Sequence, residues 1–308
     1  MFAHKNIVSS ANILRDAVKN RVAIGAFNFT NMEIIQAIVA GANELYTPVI
    51  LQASSSAIKY MGFGYIRAMV SVAAEQSDVP LVLHLDHGHD FEICKQAIDN
   101  GFSSVMIDAS SLDFKENIAI TKEVVDYASK YGVSVEAELG TLAGVEDEVS
   151  VAEGKAFYTD QNQAQEFIEK TGISSLAVAI GTSHGVNKGK TGNPKLSIET
   201  LKKIKEKVGD FPLVLHGASS VYADAVEKCN TYGANIQNAY GITDSDIREA
   251  IQNGIAKVNV DTDIRIAFLG AVREYLANNK SSIDMRKYLG AGRDMAKEMV
   301  KRRIKTFL

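Results

Sequence analysis

The sequence predicts an α/β fold and, within that class, a single (β/α)8 TIM barrel. Eight short, almost continuously apolar segments recur along the chain, as expected of strands buried on both faces of a parallel sheet. Nearly every gap between them is long enough for a crossover helix. Eight units favour a closed barrel over an open doubly wound sheet, which stays the alternative. Both folds place ligands beyond the carboxyl ends of the strands.

The individual elements follow from local signals along the chain. Asn31 is placed to cap the helix after the first strand, and Pro48 follows where that helix runs out. Asp113 and Glu116 have the spacing of a capping box before a later helix, which Gly132 would terminate. The predicted strands cover residues 23–29, 49–54, 81–88, 104–110, 133–140, 175–181, 213–219 and 255–263.

The residues that a minimal barrel would not need lie mainly in three long connections and a C-terminal extension. Long loops in a compact domain are commonly functional. We expect one domain over 1–308, with the barrel at about 20–278 and a helical extension at about 279–308. The stretch 285–308 holds eight Lys and Arg against two acidic residues, which predicts a helix facing solvent or another subunit. The long connections follow strands five, six and seven, at 141–160, 184–195 and 220–243.

Composition limits the classes of function. The 308 residues are 46% hydrophobic and carry a formal charge of −4, which suits a well-cored globular protein without a basic surface for nucleic acid. We find neither a membrane-spanning segment nor a secretory signal. Cys94 and Cys229 are therefore expected to be free thiols in a cytoplasmic protein.

Histidines lie at the ends of several predicted strands. A catalytic zinc site takes three protein ligands and leaves one position open, so His87, His184 and His216 would form a ligand set of that kind. His84 shares strand parity with Asp86 and is expected to point inward as a partner of the ligands. His89 is expected in a loop.

Carboxylates lie at the ends of the third, fourth and fifth predicted strands. Asp86, directly before His87, is a candidate for proton transfer, with orientation of a histidine as its alternative role. Asp108 and Glu138 end strands four and five, and a second divalent ion there is a further candidate.

Small residues and free amides follow the last two strands, where barrels commonly bind phosphate. Glycine allows the close backbone approach that an anion needs. A metal, carboxylates and a phosphate cradle together suit carbon–carbon bond chemistry next to a carbonyl in a sugar phosphate. A hydrolase would instead need a nucleophilic water. The cradle residues are Gly217, Ala218, Ser219, Asn259, Val260, Asp261 and Thr262.

Eight motifs in order along the chain resemble those of the class II, zinc-dependent fructose-1,6-bisphosphate aldolases. The resemblance implies a glycolytic and gluconeogenic lyase in which zinc stabilises an enediolate, and it makes a homodimer or higher homo-oligomer the expected assembly. A Na⁺ or K⁺ ion is a further candidate cofactor. The motifs are GAFNF, LQAS, HLDHG, VMIDAS, VEAELG, IGTSHG, LVLHGAS and KVNVDTD.

The same resemblance assigns roles to individual residues. It implies that Asp86 moves the proton of the C4 hydroxyl and that Glu146, on the long loop, exchanges a proton with the enediolate. Arg265 would reach the second phosphate, across the contact with a neighbouring subunit. Asn28, Ser54, Gly185 and Asn259 would lie at the substrate.

Two alternative chemistries remain at this point. The sister tagatose-bisphosphate aldolases differ in substrate configuration at C4, and the presence of both Asp261 and Asp263 favours fructose bisphosphate. Schiff-base aldolases need a desolvated lysine inside the barrel. Lys257 could serve, although the histidine set would then have no purpose.

Overall fold

A closed barrel of eight parallel strands forms the body of the computed structural model, which describes residues 6–140, 143–146, 149–151, 158–184 and 194–308. The barrel prediction is confirmed and the open sheet is wrong. In barrel order the strands are β1 (Ile24–Asn28), β2 (Val49–Ser54), β3 (Leu81–Gly88), β4 (Ser104–Ile107), β5 (Ser134–Leu139), β8 (Ser175–Val178), β10 (Leu213–Leu215) and β11 (Ile255–Val260).

A smaller sheet, which the sequence did not predict, lies in the connections after β5 and β8. Its middle strand pairs antiparallel with one neighbour and parallel with the other. The strands are β6 (Ala143–Glu146), β7 (Val149–Val151) and β9 (Ser183–His184).

Helices surround the barrel, and the capping residues predicted from the sequence lie at helix ends. The Asn31 side chain accepts a hydrogen bond from Ile34 N, and Asp113 with Glu116 forms a capping box. α6 ends at Ala128, and Gly132, with a left-handed φ of 69°, terminates the 3-10 turn (Ser129–Tyr131) that follows it. Within the described residues the helices are α1 (Ser10–Asn20), α2 (Met32–Glu44), α3 (Ser55–Met61), α4 (Phe63–Glu75), α5 (Phe91–Asp99), α6 (Phe114–Ala128), α7 (Gln161–Thr171), α8 (Ile198–Val208), α9 (Ala223–Thr231), α10 (Asp244–Gln252), α11 (Thr262–Asn278) and α12 (Met285–Phe307).

Several strands end earlier than predicted. β4 stops before Asp108, β10 stops before His216, and β11 ends at Val260, so that Asp261 is already the N-cap of α11. Asp108, His216 and Asp261 therefore lie just beyond the strands, at the carboxyl end of the barrel. The connection 220–243 also contains a helix, α9.

The C-terminal helix α12 corrects the expectation of a helix facing only solvent or another subunit. It packs against α2 and α11, and Val300, Ile304 and Phe307 are buried in the core. Its last turn meets the start of β1, where Phe307 O accepts a hydrogen bond from Ala23 N. The basic residues therefore occupy its outer face, except for Arg303, which is fully buried.

The amino end of the barrel is closed by α1. Its buried Leu14 and Ala17 pack on β1, β2, β3 and β11, and the Ser10 hydroxyl bonds those of Ser104 (3.2 Å) and Ser134 (2.8 Å). Cys94 and Cys229 are free and buried, as expected. None of the described helices is both long and apolar enough to cross a membrane.

Candidate active site

Two histidines face each other at the carboxyl end of the barrel. His87 is the second-last residue of β3 and has a positive φ of 48°, a strained conformation that is common at functional sites. Gly88 follows it because a Cβ there would lie 2.6 Å from Met106 O on β4. His216 directly follows β10. His87 Nε2 and His216 Nδ1 are 2.9 Å apart.

Each of these histidines is held from behind by a carboxylate. His87 Nδ1 lies 2.8 Å from Asp108 Oδ2, and His216 Nε2 lies 2.8 Å from Glu136 Oε1. A ring nitrogen that donates its proton to a carboxylate leaves the other nitrogen with a lone pair. Two lone pairs that face each other at 2.9 Å repel each other unless a metal ion or a proton lies between them. Histidine backed by carboxylate is the usual arrangement around zinc, so these residues fit that metal.

The charges of the site agree with this arrangement. Burial alone would raise the pKa of Glu136, but Lys257 and His216 outweigh it and hold that pKa well below its usual range. The same balance, with His87 and Ser110 as partners, keeps the pKa of Asp108 low. Burial lowers the pKa of His216, which favours the neutral imidazole that a metal requires.

Asp86 lies beside the two histidines and is held by amides. Its Oδ2 accepts a hydrogen bond from Asn28 Nδ2 at 2.8 Å, and its Oδ1 accepts one from Asn259 Nδ2 at 3.2 Å. Only 1% of its surface is exposed. The ligand atoms of Asp86, His87 and His216 all lie within 4.8 Å of one another. Asp86 thus has a fixed carboxylate at the site where a metal would bind.

A second group able to hold a metal shares His87. The ligand atoms of His87, Asp108 and Glu138 also lie within 4.8 Å of one another. Glu138 is buried at the end of β5. The structure therefore brings together the residues from which a second ion was expected.

The sequence analysis missed two residues of the site, and it considered a third, Lys257, for Schiff-base chemistry alone. Glu136 binds His216 from behind, and Lys257 Nζ pairs with Glu136 Oε2 at 2.8 Å. Gln52 donates to Asn28 Oδ1 at 2.9 Å and so supports the amide that holds Asp86. Strand parity could have found them, because Glu136 alternates with Glu138 and Gln52 with Ser54 on strands that point into the barrel.

The inward position of His84 is confirmed, but it lies one layer below the facing histidines. Its Nδ1 bonds Ser104 Oγ at 2.8 Å, and its Nε2 lies 3.3 Å from Lys257 Nζ. Lys257 is thus enclosed by polar partners and pairs with a carboxylate, unlike the free amine that Schiff-base chemistry needs. His89 lies in a loop, as expected.

The predicted phosphate cradle surrounds the start of α11. Gly217 has a φ of 60°, and a Cβ there would lie 2.7 Å from Ser183 O, so only glycine fits. Ser219 Oγ accepts a hydrogen bond from Asp261 N, and Thr262 begins the helix. An N-terminal helix turn beside small residues is a favourable place for an anion.

The remaining predicted residues have varied positions. Ser54 caps α3 through Ala57 N and lies next to Asp86 in the pairing of β2 with β3. Arg265 Nε bonds Asp261 Oδ1 at 2.6 Å and is exposed. His184 and Glu146 are described as backbone only, in β9 and β6, and Gly185 lies outside the described residues.

Comparison with known proteins gives consistent matches over almost the whole chain. The family model described as "Fructose-bisphosphate aldolase class-II" matches residues 8–308. The fructose-bisphosphate aldolase of Thermus caldophilus is 48% identical over 98% of both chains. That of Giardia intestinalis is 46% identical over 96% of this chain and 91% of its own.

Solved structures give the same result. The YdjI aldolase from Escherichia coli K12 superposes with a TM-score of 0.79 at 34% identity, covering 98% of this chain and 97% of its own. A putative fructose-1,6-bisphosphate aldolase from Coccidioides immitis gives a TM-score of 0.81 at 29% identity, covering 99% and 97%.

Proposed function

The chain belongs to the class II fructose-bisphosphate aldolase family, which is zinc-dependent, and from that premise we propose how its own residues divide the reaction between them. The enzyme is a lyase that reversibly cleaves fructose 1,6-bisphosphate to dihydroxyacetone phosphate and glyceraldehyde 3-phosphate in glycolysis and gluconeogenesis. The tagatose alternative is not favoured, since the curated relatives carry the fructose name.

The metal is proposed to bind between His87 and His216, with His184 as the third ligand. The observation that carries the proposal is the pair of facing ring nitrogens, each backed by a carboxylate, beside a fixed third carboxylate. When bound, zinc supplies Lewis-acid polarisation of the substrate carbonyl, which favours the enediolate. Asp108 and Glu138, with His87, would hold a second divalent ion. From the family resemblance we also propose a Na⁺ or K⁺ ion.

The protons are moved by two carboxylates in this proposal. Asp86, oriented by Asn28 and Asn259, removes the proton of the C4 hydroxyl as the C3–C4 bond breaks. The electron pair of that bond passes into the enediolate, and Glu146 delivers a proton to C3. The role of Glu146 rests on its place in the sequence.

The phosphates are proposed to bind at two places. The cradle with the first turn of α11 takes the dihydroxyacetone-phosphate half, together with Gly185 and with Ser54 and Asn28 near the substrate. Arg265 is proposed to reach the other phosphate across a contact between subunits of a homodimer or higher homo-oligomer. The cytoplasm is the proposed location, and 1–308 the proposed single domain.

Replacement of the proposed base tests this assignment. Asp86→Ala should lower kcat for fructose 1,6-bisphosphate cleavage by roughly 100-fold or more, since general acid–base groups commonly contribute that much. Zinc content, measured on the same preparation, should stay near one per chain. The exposed Asp78→Ala serves as the control. Near-normal cleavage by the Asp86 variant with its zinc retained would overturn the role.

A further inference from the structure

Arg303 connects the C-terminal helix to the loop that carries the cradle. Its side chain is fully buried, on the same face of α12 as Val300 and Phe307. Nη1 donates to Ser220 Oγ at 2.5 Å and to Asp244 Oδ1 at 2.9 Å, and Nη2 donates to Ala218 O at 3.2 Å. One guanidinium therefore bonds two residues of a single short loop and an acidic residue behind it.

The backbone of this loop, which we call the phosphate loop (217–221), is held in an unusual conformation. Val221 has a positive φ of 50°, which is costly for a β-branched residue. Asp263 holds it there, because its Oδ1 accepts from Val221 N at 2.7 Å and its Oδ2 accepts from Ser220 N at 3.0 Å. Arg303 Nε lies 3.5 Å from the same carboxylate, so Arg303 and Asp263 form one buried charged unit beneath the loop.

The geometry of one peptide group connects this unit to the substrate side. The carbonyl of Ala218 and the N–H of Ser219 belong to the same trans peptide and point in opposite directions. Because Arg303 binds the carbonyl, the Ser219 N–H points away from α12. The direction of the Ser219 N–H, a donor of the cradle, is therefore set by Arg303, which does not itself belong to the cradle.

We propose that Arg303 is a positioning residue of the reaction, which orients the phosphate loop for the phosphate of the substrate. The inference rests on the proposed function of that loop. The planar guanidinium of arginine has five N–H donors, so it can contact the loop carbonyl, the loop hydroxyl and two carboxylates at the same time. A lysine has one nitrogen and cannot reach all four.

The test compares two substitutions on the same helix in the zinc-loaded, full-length enzyme. Arg303→Lys keeps the charge but loses the fork. Lys301→Met is the control, since Lys301 docks α12 on Glu44 of α2 at 2.6 Å without touching the loop. We measure kcat and KM for fructose 1,6-bisphosphate, the inhibition constant of inorganic phosphate, zinc content and Tm.

Arg303→Lys should raise KM and the phosphate inhibition constant roughly tenfold, the size expected from losing a charged hydrogen bond, with kcat and zinc content changed much less. Lys301→Met should leave both constants unchanged, even where its Tm falls. A folded Arg303→Lys enzyme with constants equal to those of the control would overturn the inference.

Two further measurements complete the design. If Arg303→Lys does not fold, Ser220→Ala removes one loop partner and should still raise the phosphate inhibition constant, and an unchanged constant would contradict the proposal. Wild-type enzyme that is not inhibited competitively by phosphate would refute the proposed phosphate site itself, and the inference with it. Inhibited wild type with an unaffected Arg303 variant refutes only the role of Arg303.

Discussion

Single residues behind the facing histidines determine which nitrogens are available to a metal. Asp108 and Glu136 each take one ring nitrogen, and Lys257 compensates the second of these buried carboxylates. His87, His216 and Asp86 could be predicted from the sequence, because their residue types are rare at strand ends. Glu136 and Lys257 could not be paired, since their contact joins strands that lie far apart in the sequence.

Glu136→Gln should weaken zinc binding about 10–100-fold, because partners behind a ligating histidine have effects of that size. The substitution also leaves Lys257 without its buried charge partner, so the free energy of unfolding should fall by roughly 3 kcal/mol. Competition with a chromogenic chelator and urea denaturation measure the two effects. The exposed Glu123→Gln changes the net charge equally and should alter neither. Unchanged zinc affinity in the Glu136 variant would contradict the role.

Asp261 offers a test of sugar discrimination. It accepts a bond from Arg265 and its amide donates to Ser219, so it borders the proposed substrate site. Asp261→Ala should reduce the preference for fructose over tagatose bisphosphate, measured as the ratio of their kcat/KM values. An equal loss on both sugars would show that Asp261 supports the site without distinguishing C4 configuration.

At the scale of elements, helix contacts depend on residues without side chains. A Cβ at Gly292 on α12 would lie 2.7 Å from the ring of Phe268 on α11, which places these helices in close contact. Gly290 lies two residues earlier on the same helix, and a Cβ added there would have no neighbour within 4 Å. Periodicity predicted the helices themselves, but not this contact, since sequence patterns do not show which helices pack together.

The two glycines form a matched pair for measuring that contact. Gly290→Ala should raise the free energy of unfolding by about 1 kcal/mol through helix propensity. Gly292→Ala should lower it by about 1–3 kcal/mol, because overpacking forces Phe268 or the helix to move. Urea denaturation of both variants measures the difference. If Gly292→Ala is as stable as Gly290→Ala, the helices are free to separate and the contact is unimportant.

At the scale of the whole molecule, the barrel and its C-terminal helix share one core. Residues of α12 belong to the same buried cluster as β1 and α2, including Ile304, Phe27 and Ile38. The sequence predicted this helix but placed it outside the barrel. Its net basic charge hid the apolar residues at positions 300, 304 and 307, which repeat at helical spacing.

Removal of this helix should therefore prevent folding. A chain that ends at Asp284 would expose the buried face of α2 and the start of β1, and we expect it to lack a cooperative thermal transition by circular dichroism. Removal of Leu308 alone, which is exposed, should leave the transition unchanged. A native spectrum with a sharp transition for the shorter chain would show that the barrel is an independent domain.

The closed end of the barrel also determines how the protein can be attached to other materials. Asn6 O accepts a hydrogen bond from Leu81 N at the start of β3, and Phe307 O accepts one from Ala23 N before β1. Both ends of the described chain thus lie beneath the barrel, opposite the histidines. A fused protein or a solid support joined at either end would therefore lie at the amino end of the barrel. Substrate and products could then diffuse to and from the histidines at the carboxyl end.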